Sequence, residues 1–190
     1  MAAVYSASHR NGQIAALKIL HIEFAKEKTI CDRFLREAYV SNKVGHPATV
    51  KVLDDDMTEQ GEPFLVMELL EGQDLGDYIR ENGALPMLEA CEFLVQACEG
   101  LGEAHARGIV HRDVKPENLF IVDRAGERSV KVLDFGISKV ALTSRIAGAD
   151  IRGEGDGLMG SPYYMSPEQL RAVNDAYKEA AKAAGAKVSY

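Results

Sequence analysis

The chain has 190 residues, of which 46% are hydrophobic and 27% charged, inside the range of folded proteins and of a length suited to one domain. Its net charge of −7 argues against a nucleic-acid or anionic-membrane surface, because a phosphate backbone demands a positive footprint. It shows neither an apolar run long enough to span a bilayer nor a basic-then-apolar amino terminus, so no membrane segment is expected and a cytoplasmic setting is.

The first element in chain order is Ile14-Ala15-Ala16-Leu17-Lys18, an apolar run with the form of a strand that ends on a cation. Residues 31–44 read as a helix, with Phe34, Ser41 and Val44 on roughly the same side as Glu37. The run from Phe64 through Leu65, Val66, Met67, Glu68 and Leu69 to Leu70 is a short apolar strand closing on the flexible pair Glu71-Gly72. Over 86–107, apolar residues at 88, 91, 94, 98, 101 and 105 or their neighbours trace a helical stripe, and Gly108 is placed to end it.

Cys31, Cys91 and Cys98 do not make a disulfide framework. Along a helix Cys91 and Cys98 are separated by about 10.5 Å of rise, beyond the roughly 7 Å that a disulfide spans between Cα atoms. They read as buried thiols, and the five histidines show no ligand spacing.

Next comes His111-Arg112-Asp113-Val114-Lys115-Pro116-Glu117-Asn118, and further on Asp134-Phe135-Gly136. Residues 155–160 match G-x-G-x-x-G, but the run is entered from a polar, glycine-rich stretch and left through Ser161-Pro162. A phosphate-binding loop needs a strand before it, and Asp156 would repel phosphate. Ser166-Pro167-Glu168 follows. From Val173 to Lys187 the chain is rich in Ala and Lys, a strong helix former with little apolar surface.

These strings, in this order, resemble the eukaryotic-like serine/threonine protein kinases, and the stretch from Val130 to Lys139 is most similar to bacterial members. Phosphoryl transfer needs a carboxylate to orient the attacking hydroxyl, a carboxylate and an amide to hold Mg²⁺, and a cation on the phosphates. The resemblance gives Asp113 the role of catalytic base and makes Asn118 and Asp134 the Mg²⁺ ligands. Lys115 is the choice typical of kinases acting on Ser or Thr. Lys18 would grip the α and β phosphates of ATP, with Glu37 as its ion-pair partner. His111 would be a packed structural residue stacked on Phe135. For the adenine pocket the resemblance implies Met67 as gatekeeper and Glu68 and Leu70 as donors of backbone groups. Asp74 would meet the ribose, Val4 and Ala16 form the roof, and Phe120 the floor. The activation segment would run from Asp134 to Glu168, with Ser161 near Asp113 and with Thr143 and Ser144 as phosphorylation candidates able to pair with Arg112.

The implied fold is α+β and two-lobed, lacking the first strand and the distal helices of the C-lobe. A small antiparallel sheet with one helix would occupy residues 1–70, and a mainly helical lobe residues 71–190. The expected activity is transfer of the γ-phosphoryl group of ATP to a protein Ser or Thr hydroxyl, with Mg²⁺ delivered on the nucleotide. Two competing readings are a non-catalytic fragment that binds nucleotide or a partner, and a gene fragment that does not fold alone, with apolar faces of the long helix exposed around Leu94 and Cys98.

Overall fold

The structure, a computed structural model, describes residues 2–135 and 162–183. Thr143, Ser144, Ser161 and the glycine run at 155–160 lie outside the described residues. The chain divides into two compact units, Met1–Phe135 and Gly136–Tyr190. The change at residue 70, expected as a lobe boundary, marks the passage from one sheet to another inside the first unit.

Strands β1 (Ala2–Ser8) and β2 (Ile14–Leu20) form a hairpin in which Val4 lies opposite Lys18. A one-turn helix α1 (Ile22–Ala25) leads into α2 (Lys28–Val44), and β3 (Val52–Met57) and β4 (Pro63–Met67) complete an antiparallel sheet of order β1-β2-β4-β3. Helix α2 starts earlier than its apolar period predicts but presents the expected side. Ile30, Phe34 and Ala38 pack on Leu20, Val52 and Leu65 of the sheet.

The second sheet, β5 (Gly72–Asp74), β6 (Leu119–Arg124) and β7 (Glu127–Val132), was not anticipated in a lobe read as mainly helical. Its strands are short, and β5 has three residues. Ala125 and Gly126 both take positive φ, the two-residue turn whose twist matches a hairpin. Gly72 is required by contact: a Cβ there would sit 1.9 Å from the Ile121 carbonyl oxygen. Helix α3 (Leu75–Asn82) begins at Asp74, whose carboxylate accepts from the Asp77 N–H at 2.9 Å. Arg128 ties this corner together, reaching the Tyr78 hydroxyl at 3.1 Å and pairing with Glu89 of the following helix.

That helix, α4 (Met87–Ala106), occupies the predicted span. It ends on Gly108 at φ 70°, with Gly108 N–H donating to the His105 carbonyl and Ile109 N–H to that of Ala104, which closes the last turn. The expected burial of its thiols is wrong: Cys91 and Cys98 are exposed, and Cys31 is half-buried. The buried face is instead Phe93, Ala97, Gly100 and Ala104, because that is the side laid on β7, and the stripe through Leu88 and Leu94 stands open.

Three apolar clusters result. One lies between α2 and the first sheet, and one between α4 and the second. The third joins Val44 of α2, Ala104 of α4 and Phe135. Residues 48–50 link the sheets. Val132 N–H donates to the Ala48 carbonyl at 2.7 Å, Val50 N–H donates to the Val132 carbonyl at 3.3 Å, and Thr49 bridges Val132 in parallel.

In the second unit a 3-10 turn (Pro162–Tyr164) precedes α5 (Pro167–Ala183). The helix starts well before the expected Val173 because Ser166 and Gln169 form a reciprocal cap. Ser166 N–H donates to Gln169 Oε1 at 2.9 Å and Gln169 N–H to Ser166 Oγ at 3.4 Å, with Pro167 in the first helical position. The Glu168 carboxyl is held below the usual carboxylate range by its own backbone N–H and by the Ser166 hydroxyl. Among the described residues no helix is long and apolar enough to cross a membrane.

Candidate active site

Between the end of α4 and the start of β6 the chain carries the string His111 to Asn118, and its shape is fixed by three polar links. His111 is 1% exposed. Its Nδ1 accepts the Asp113 N–H at 3.2 Å, so the ring proton sits on Nε2, which donates to the Leu133 carbonyl at 2.8 Å. With both nitrogens engaged and the ring 4.9 Å from that of Phe135, His111 is the packed structural residue the sequence predicts. Arg112 takes φ 65°, a left-handed kink within the string.

Pro116–Asn118 form a 3-10 turn, which brings the Asn118 side chain back over Asp113. Asn118 Nδ2 donates to the Asp113 carbonyl at 2.7 Å and to its carboxylate at 2.8 Å. The amide nitrogen is thereby turned to Asp113, and the Asn118 side-chain oxygen is the atom left to ligate a cation. Leu133 N–H donates to the Asn118 carbonyl at 2.8 Å, which sets Asp134 beside Asn118. Asp134 itself is bent to φ 41° and its neighbour Phe135 is 1% exposed, so a buried ring anchors the strained backbone that carries this carboxylate.

Lys18 reaches this carboxylate across 116 positions of sequence: Nζ lies 2.5 Å from Asp134 Oδ1, with the Lys18 side chain 12% exposed and that of Asp134 50%. Lys18 is thus ion-paired with Asp134, and its expected partner Glu37 is close by. Glu37 is half-buried on the inner side of α2 and lines, with Lys18, Met67, Asp134 and Phe135, a cavity of about 20 Å³. That is room for about one water molecule.

The sheet register explains how the remaining predicted residues assemble. Directly opposed residues of an antiparallel pair share a face. Val4 opposes Lys18 and Ala16 opposes Met67, so Val4, Ala16, Lys18 and Met67 lie on one face of the first sheet. Asp74 opposes Phe120 in the second sheet, and its carboxylate caps α3 through Oδ1. Glu68 N–H is donated to the Lys51 carbonyl at 3.0 Å, which leaves its own carbonyl as the backbone group available to a ligand. Leu70 and Lys115 are half-buried.

Sequence reasoning gave Glu68 a backbone role only and passed over Lys131 and Asn42. Glu68 Oε1 meets Lys131 Nζ at 2.5 Å. Asn42 clips α2 to β3, donating to the Val52 carbonyl at 2.8 Å and accepting its N–H at 3.0 Å. In the sequence Val130-Lys131-Val132 reads as an ordinary alternation with the lysine outward, so it carried no signal for this contact. The hollow of about 380 Å³ near Glu89, Glu92 and Arg128 contains none of the predicted residues.

The donor set fits Mg²⁺: one amide oxygen and one carboxylate, hard oxygen ligands of the kind and number that hold this ion when nucleotide phosphates complete its shell. Among the described residues no cluster of three or more His, Cys, Asp or Glu would cage a metal alone.

Comparison with known proteins agrees with this geometry. The protein kinase domain family model matches residues 1–184. Serine/threonine-protein kinase Pkn1 of Myxococcus xanthus is 40% identical over 174 residues, covering 89% of this chain and 24% of that protein. The probable serine/threonine-protein kinase PknB of Corynebacterium glutamicum is 37% identical over 163 residues, 84% of this chain and 24% of that protein. The chain thus spans about a quarter of the length of these curated relatives. The crystal structure of the Mycobacterium tuberculosis PknI kinase domain superposes with a TM-score of 0.60 at 29% identity, over 72% of this chain and 55% of that one. The partial kinase fold, the His111 to Asn118 loop with Asp134, and these relatives lead to one conclusion: the chain belongs to the protein kinase domain family.

Proposed function

We propose that this chain binds Mg²⁺-ATP and transfers the γ-phosphoryl group to a Ser or Thr hydroxyl of a protein. The observation that carries the reading is the convergence, inside one compact unit, of the Asp113 and Asn118 contacts with the Lys18 to Asp134 ion pair. The cation suited to phosphate and the carboxylate suited to metal are within 2.5 Å, close enough to act on one polyphosphate.

Asp113 would accept the proton of the attacking hydroxyl, and Asn118 holds that carboxylate through its amide. Asn118 through its side-chain oxygen, and Asp134, would hold Mg²⁺. Bound there, the ion would neutralise and orient the phosphates. Lys18 would place its ammonium on the same phosphates, and Lys115 would add positive charge close to Asp113. The base would lie against Val4, Ala16 and Met67 on one side and Phe120 on the other, its edge facing the Glu68 and Leu70 backbone. The choice of Ser or Thr as acceptor rests on Lys115 and on the names of the relatives.

The test combines thermal unfolding with a phosphoryl-transfer assay on a protein substrate. Mg²⁺-ATP at 100 times its Kd should stabilise the parent by about 2.7 kcal/mol. Asp134→Asn should lose this stabilisation. Asp113→Ala should keep it and lose transfer. A parent that binds nucleotide and transfers nothing would be a binding module, and a parent showing no stabilisation would overturn the nucleotide reading.

A further inference from the structure

Lys131 and Glu68 form an ion pair that is largely shielded from water. Their side chains are 16% and 24% exposed and their charged atoms lie 2.5 Å apart. It does not stand alone. Glu68 Oε1 also accepts the Lys51 N–H at 2.8 Å, and Lys131 Nζ also reaches the Thr49 carbonyl at 3.4 Å. A shielded pair of this kind contributes little net stability compared with an apolar replacement, and fixing a geometry is a role open to it.

The positions that it fixes are telling. Glu68 follows Met67 directly and opens the connection whose backbone would face the base. Lys131 stands on β7 opposite Phe120, the floor residue, and on the strand that runs into Asp134. One contact therefore ties the base-facing backbone to the floor beneath it. Residues 48–50, bonded to β7 at Val132, form the third side of the same junction.

We infer that Lys131 is a positioning residue for the base, acting through the Glu68 carboxylate to hold the Glu68 and Leu70 backbone groups at a set height over Phe120. This rests on the proposed adenine-binding role of residues 67–70. A hollow of about 560 Å³ lined in part by Lys131, Glu68, Lys51 and Thr49 opens beside the pair, so water can replace a shortened side chain without repacking a core.

The readout is the ratio of affinities for Mg²⁺-ATP and Mg²⁺-GTP, which share ribose and phosphates and differ at the base edge, measured by calorimetric titration. Lys131→Met should reduce the preference of the parent for ATP by roughly tenfold, and the double variant with Glu68→Gln should be no worse than Lys131→Met alone, because the two residues act as a unit. Lys131→Arg should recover most of the preference. If Lys131→Met does not fold, Glu68→Gln, which keeps the shape and the acceptor for the Lys51 N–H, carries the same expectation. An unchanged ratio, or affinities that fall together for both nucleotides, would overturn the positioning role while leaving the nucleotide reading intact. A parent that binds neither nucleotide would overturn the nucleotide reading and this one with it.

Discussion

Helix α4 buries Phe93, Ala97, Gly100 and Ala104, while Met87, Leu88, Leu94 and Val95 on its other sides stand exposed, Leu88 at 80%. The exposed set is the more apolar of the two and holds the larger side chains apart from Phe93. What selects the buried set is size rather than hydrophobicity. Ala97, Gly100 and Ala104 let the helix axis approach its neighbours, and a Cβ on Gly100 would come within 3.0 Å of the Ala48 Cβ. On a helix with a wide apolar arc, small residues mark the face in contact.

The comparison can be broken at either face. The largest effect should come from Phe93→Ala, which empties the centre of the cluster on β6 and β7 and should cost about 3–5 kcal/mol in urea unfolding. An unshifted midpoint would mean that this face is not the packed one. Gly100→Leu should cost about 1–3 kcal/mol, since the added side chain must displace Ala48. Leu88→Lys and Leu94→Lys should stay within about 0.5 kcal/mol of the parent. A larger loss in either would show that something covers the outer face.

The thiols sharpen the same contrast without perturbing stability. Cys91 and Cys98 should be alkylated first in a mass-spectrometric time course at neutral pH, and Cys31 last. Burial, with the Asp32 carboxylate adding to it, pushes the Cys31 thiol up. Less of it is therefore thiolate at a given pH than in a free cysteine, which slows its alkylation further. Simultaneous modification of all three would contradict the assignment of exposure.

The loop from His111 to Asn118 was legible because its contacts are local and its motif dictates residue type. Asp113 and Asn118 meet within one turn, and few side chains can replace a carboxylate and an amide in that task. The extent of α4 was legible for a similar reason, from its apolar period and Gly108. Its buried face was not, because a wide apolar arc leaves the azimuth open and the partner surface is built from β7, later in the chain. The Lys131 to Glu68 contact is hidden for the same reason, spanning 63 positions between residues that each look like ordinary surface charges. The start of α5 is written in Ser166-Pro167-Glu168-Gln169, a capping signal that lies outside the Ala- and Lys-rich run by which the helix is recognised.

The seam at residues 48–50 has a consequence for the order of assembly. The β1–β2 and β6–β7 hairpins each close over a handful of residues, whereas joining Thr49 to Val132 closes a loop of most of the first unit. Loop-closure entropy rises with length, and long-range pairings form slowly. We therefore expect the two sheets to form separately and to be sewn together last. In pulse-labelled refolding, the amides of Val50 and Val132 should gain protection after those of the hairpins, and simultaneous protection would refute this order. A lesion at the seam would then leave two sheets that form but never meet, separating Lys18 on one from Asp134 at the end of the other.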